Sequence, residues 1–338
     1  MLFLAFLLLF IWIALKLLLV YRSQLESSIT FLLAFPLLFS SRAIRPVSKD
    51  AKVFFYLLTA VAALLVVFAF IPSSYRDGML LLYTQNENQS GLLYMSVFLG
   101  IFSFLCIEKK KNVFWWVLSI GLLYGAFRSG SRTAFSACIL CMGLCLLLFL
   151  LPRWKKAVFS VAMLLFAILP FIVTWLVEKL GVDFTFMGSS AWTGREKIWP
   201  TVVEAVLNEP FSMKIGQTIA HSLSEELGAH NTMLDIAWDF SLPTAVFFLI
   251  GLISTGRMLL NENKEKRLSC VPFACFVAGL LHMTMEASLI TGALDYTLYF
   301  LLAIFCGKAL LDSKTEDKKE GKNDEPAPDQ HNRSRLQR

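Results

Sequence analysis

Charge is scarce in this 338-residue chain: Asp, Glu, Lys and Arg make up 17% of it, against 57% hydrophobic residues that include 30 Phe. That balance excludes a soluble globular domain, in which about a quarter of the residues are charged, and no nucleic-acid partner is expected. Cysteine is present but badly placed for a scaffold. All seven (106, 138, 141, 145, 270, 275 and 306) fall in or beside apolar segments. No Cys/His spacing resembles a zinc site, so neither a disulfide framework nor a bound metal is expected, and no cofactor is implied. Cys138, Cys141 and Cys145 share a helix face and read as small polarizable packing residues, with a metal or redox cluster as the alternative. No internal repeat supports a transporter built from inverted repeats. Met1–Val20 lacks both a charged n-region and a small-residue cleavage site, so it reads as a retained span rather than a signal peptide.

Long apolar runs are what the chain does have. Spans are expected near 1–20, 28–41, 51–71, 91–107, 113–127, 133–151, 157–177, 233–254, 271–288 and 293–311, the second being short and interrupted by Pro36. The fold class is therefore all-α, a polytopic transmembrane bundle of about ten spans over 1–311. Basic residues separate by side. Connections on one face carry 22 Lys and Arg, those on the other carry eight. Because positive residues mark the cytoplasm, both termini are expected inside and a long loop, about 178–232, outside. Residues 312–338, rich in Lys, Glu, Asp and Pro, read as a disordered cytoplasmic tail.

Chemistry is costly in hydrocarbon, so working groups belong at the surface or in a cavity. Arg128 and Arg132 flank Ser129-Gly130-Ser131 at the expected outer mouth of a span, where a turn and an N-cap would start a helix. If one helix includes both arginines, they share a face. A helix N-terminus beside a guanidinium suits a lipid phosphate or diphosphate. Arg195 begins a second expected helix, capped by Thr193, with Ile198, Val202, Ala205 and Val206 as its apolar face and Pro210 at its end. His230 precedes Asn231, a good N-cap; a neutral imidazole there can act as general base toward a hydroxyl. Taken singly, these residues also read as a snorkelling arginine, a solvated loop arginine and a structural histidine. Together they suit transfer of a group from a lipid diphosphate to a hydroxyl, the cations holding the leaving group without a metal.

Four segments, in order, resemble the O-antigen ligase and polysaccharide polymerase superfamily of bacterial envelope proteins. They are Thr84-Gln-Asn86-Glu-Asn88-Gln-Ser-Gly91; Gly130-Ser-Arg132-Thr-Ala134; Gly194-Arg195-x-x-Ile198-Trp199 with Asn208-Glu-Pro210 and Gly216; and Ala229-His230-Asn231-x-x-Leu234. The similarity covers about 84–250. It implies a multi-pass glycosyltransferase of the bacterial cytoplasmic membrane, moving a glycan from undecaprenyl diphosphate to a glycan or lipid-core hydroxyl on the outer face. It also implies that Arg132, Arg195 and His230 are the catalytic residues, with Arg128, Asn86, Asn88 and Asn231 as substrate contacts. One departure stands out: the family's Gly-x-x-Gly after the His-Asn helix is here Ser241 and Thr244, with Pro243 between.

Ligase and repeat-unit polymerase differ only in acceptor; the single long outer loop leans toward a ligase. His282 and Glu286, four apart in one expected span, share a face and could pair. That pair is the feature favouring the other alternative, a transporter or flippase for lipid-linked saccharides.

Overall fold

The computed structural model describes Ile11 and residues 48–82, 87–108, 113–180, 185–186, 189–190, 195–214, 230–260, 269–286 and 303–309. The expected spans 1–20 and 28–41, most of 293–311, the tail 312–338, Asn86 and Thr193 lie outside the described residues. The helices are α1 (Ser48–Phe68), α2 (Glu87–Glu108), α3 (Val113–Arg128), α4 (Arg132–Leu150), α5 (Lys155–Leu180), α6 (Arg195–Asn208), α7 (Thr232–Phe240), α8 (Leu242–Leu260) and α9 (Cys270–Met285). Two small antiparallel hairpins interrupt them. In the first, β1 (Tyr75–Arg76) pairs with β2 (Met79–Leu80); in the second, β3 (Thr185–Phe186) pairs with β4 (Ser189–Ser190).

Among the described residues, five helices are long and apolar enough to cross a membrane: α1, α2, α4, α5 and α8; α3 and α9 are shorter apolar helices. The chain is a polytopic helical membrane protein. Large side chains such as Leu57 and Leu64 on α1, Ile120 on α3 and Leu164 on α5 are exposed. In a soluble protein they would be a liability, whereas toward hydrocarbon they cost nothing.

At the centre stand α2 and α9, both apolar around their circumference and buried along nearly all their length. The first packs against α1, α3, α4 and α9, the second chiefly against α4 and α5. Lipid is as apolar as leucine, so close van der Waals fit holds such helices together, and small residues permit it. Gly91 is the decisive instance. A Cβ there would sit 2.3 Å from the Ser131 Cβ and 2.9 Å from the Ser129 Oγ, so only glycine lets α2 lie against the turn that starts α4.

Two span boundaries differ from expectation. The expected span 233–254 is two helices, broken at Ser241, whose φ is 93°. The Thr244 hydroxyl donates to the Phe240 carbonyl at 2.7 Å and lies 3.1 Å from the Ser241 Oγ, closing the break with polar groups that glycines could not supply. The expected span 271–288 ends at Met285. Glu286 is extended, with φ −143° and ψ 147°, so it leaves the helix face it was expected to share with His282.

Candidate active site

A cavity of about 770 Å³ opens where several helices begin and one ends. That size lies within the range of small-molecule sites, about 300–1,000 Å³. Asn88, Arg132, Arg195 and His230 all line it. Each stands at the start of a helix: Asn88 is second in α2, Arg132 opens α4, Arg195 opens α6, and His230 immediately precedes the cap of α7. The positive dipole ends of several helices therefore gather around one space, an arrangement that favours an anion. At the cavity's other end Phe135, Ile139 and Leu140 of α4 face Leu281 and Met285 of α9, making an apolar wall.

The turn before α4 is built locally. Gly130 takes φ 81°, a conformation that costs a glycine little. Ser129 donates to the Ala126 carbonyl at 2.7 Å, and Ser131 caps the helix by accepting from the Ala134 N–H at 3.4 Å. This turn puts Arg128 at the end of one helix and Arg132 at the start of the next, so they do not share a face. The Arg128 guanidinium lies 4.9 Å from the Tyr75 ring centre, and its Nη2 donates to the Gly78 carbonyl at 3.4 Å. It clasps the β1–β2 hairpin and is not among the residues lining the cavity.

Arg195 reaches the cavity because α6 buries its apolar face. Ile198, Trp199, Val202 and Val206 pack inward against α5 and α7. The start of α7 is tied down more tightly. Asn231 caps it, accepting from the Leu234 N–H at 2.9 Å, while its amide donates to the Thr284 carbonyl at 2.7 Å. Thr232 donates to the Glu286 carbonyl at 2.8 Å. Asn231 is buried and committed to these contacts, which hold α7 to the end of α9. His230 sits at φ 50°, the left-handed region, which histidine tolerates better than most residues but which still stores strain.

Glu286 is the residue whose place sequence reasoning missed. Arg195 Nη2 donates to its Oε1 at 2.7 Å, and the Thr133 hydroxyl donates to the same oxygen at 3.3 Å. His230 Nδ1 lies 3.4 Å from the other oxygen, Oε2. His282 lines the same cavity one turn back along α9. The available signal was a carboxylate inside an apolar span, which demands a cationic partner; the nearer candidate in sequence was His282, and the partner in space is Arg195. Among the described residues, no three His, Cys, Asp or Glu side chains gather as a metal-binding group.

No curated protein and no solved structure matches this chain. Residues 117–249 match the family model described as O-antigen ligase, a stretch running from α3 into α8 that contains Arg132, Arg195 and His230. Over that stretch the chain is similar to the O-antigen ligase family, and the match sits in a polytopic helical membrane protein.

Proposed function

We propose that this protein transfers a glycan from undecaprenyl diphosphate to a sugar hydroxyl at the outer face of the bacterial cytoplasmic membrane. The observation that carries the proposal is the meeting of Arg132, Arg195 and His230 in one cavity that is cationic at one end and apolar at the other. A prenyl diphosphate has the same polarity. Its charged head suits the arginines and helix starts, and its first prenyl units suit the wall of Phe135, Ile139, Leu140 and Leu281.

The chemistry follows from the groups present. His230 directs Nδ1 toward Glu286, leaving Nε2 to take the acceptor proton. The acceptor oxygen bonds to the anomeric carbon of the donor sugar as the bond from that carbon to the phosphate oxygen breaks. The electron pair leaves with the diphosphate, whose growing charge Arg132 and Arg195 stabilise. Asn88, with a polar amide at the same mouth, is placed to contact sugar or phosphate.

Ligase and polymerase share this chemistry and differ in the acceptor alone. The test is transfer in proteoliposomes from a synthetic prenyl-diphosphate glycan, offered lipid-core and repeat-unit acceptors separately. Product with wild type, and its loss in Arg132→Ala, Arg195→Ala and His230→Ala at unchanged protein level, is the expected result. Wild-type product from all three variants overturns the proposal. Movement of intact lipid-linked glycan across the bilayer, without transfer, would identify a flippase instead.

A further inference from the structure

Glu286 holds a cation that the proposed donor also needs. Its side chain is 8% exposed and that of Arg195 6%, so the pair is shielded from water at the edge of the cavity. The backbone of Glu286 is anchored, its carbonyl accepting from Thr232 at 2.8 Å. Being extended and beyond the end of α9, the residue is not bound to the face of that helix. The two oxygens are unequally held: Oε1 tightly, by Arg195 at 2.7 Å, and Oε2 loosely, by His230 at 3.4 Å.

We propose that Glu286 is a positioning residue operated by the donor: it restrains Arg195 until the donor binds, and an arriving diphosphate takes Arg195 and turns the carboxylate onto His230. This rests on the reading that the cavity takes a lipid diphosphate. A diphosphate carries more negative charge than one carboxylate and offers several oxygens in the fork geometry a guanidinium prefers, so it competes well for Arg195. Once Arg195 has moved, the charge on Glu286 is no longer neutralised and faces the Nδ1–H of His230. There it fixes the tautomer and stabilises the imidazolium formed when Nε2 takes the acceptor proton. Base strength is thereby tied to donor occupancy, and the acceptor is activated only after the donor is in place.

A merely structural ion pair and this exchange predict opposite signs for donor affinity. The experiment uses the full chain in nanodiscs, with farnesyl diphosphate as binding probe and glycan transfer as the second readout. Glu286→Gln removes the competitor for Arg195, so the probe should bind more tightly, by roughly tenfold, which corresponds to about 1.4 kcal/mol. Turnover should fall at the same time because His230 has lost its carboxylate. Glu286→Asp, which keeps charge and hydrogen bonding, should shift both readouts in the same directions by less, and it decides the matter should Glu286→Gln fail to accumulate. Weaker or unchanged probe binding in these variants overturns the exchange while leaving the transferase reading intact. Probe binding that Arg132→Ala leaves unchanged removes the diphosphate site itself, and the exchange with it.

Discussion

Arg195 and Glu286 lie 91 residues apart in the chain and meet at 2.7 Å, both almost fully buried. The pair joins the start of α6 to the end of α9. His230 and Thr133 touch the same carboxylate, so two further elements meet at it: the approach to α7 and the start of α4. Removing one partner of a buried pair leaves an uncompensated charge and costs about 3–5 kcal/mol. Glu286→Ala should therefore lower the thermal unfolding midpoint of the purified protein markedly, whereas Glu286→Gln should lower it less. A midpoint for Glu286→Ala equal to wild type would show that the pair contributes nothing to the fold.

His230 separates backbone from chemistry. At φ 50° the position accepts asparagine as readily as histidine. His230→Asn should fold like wild type yet lose transfer activity roughly 10²–10⁴-fold, the usual contribution of a general base. His230→Val should fail on both counts, because a β-branched residue resists the left-handed region, at a cost of about 1–3 kcal/mol. Thermal melts and transfer assays on the two variants distinguish the effects; activity retained in His230→Asn would remove the base role.

Gly91 couples packing to the site. An added methyl would meet the Ser131 Cβ at 2.3 Å, so Gly91→Ala must push α2 away from the turn that places Arg132. Overpacking of this kind costs about 1–3 kcal/mol, and the displaced Arg132 should reduce donor affinity. Gly143, on the same helix as Arg132, faces open space: a methyl there would meet nothing within 4 Å, and Gly143→Ala should be tolerated. Equal melting midpoints for the two variants would contradict the close approach.

Ser241 occupies φ 93° and ψ 155°, a region that glycine alone enters cheaply. Ser241→Gly should hold or raise the melting midpoint, despite losing the contact to Thr244, while Ser241→Val should lower it. A fall with glycine comparable to that with valine would mean that the hydroxyl, not the backbone, secures the break.

Much of the membrane bundle was legible because its signals are local. Apolar runs of sufficient length marked α1, α2, α4 and α5 within a few residues, and short-range capping chemistry placed Ser131 and Asn231 at their helix starts. The break at Ser241 was masked because the apolar pattern continues across it, and a serine there does not advertise a left-handed backbone. Arg128 illustrates the limit differently. Nothing in Phe-Arg-Ser-Gly-Ser-Arg distinguishes an arginine turned toward Tyr75 and Gly78 from one lining a cavity.

By itself, then, the amino-acid sequence determined which segments are helices in lipid and where several of them start, and it singled out Arg132, Arg195 and His230 as candidates for one kind of chemistry. Hydropathy, capping and residue type act over a few positions, so they can be read along the chain. Only the tertiary structure decided that those three share a cavity and that Glu286 joins Arg195 to His230. A buried carboxylate takes whichever cation the packing of α4, α6, α7 and α9 brings within reach, and that distance is set in space.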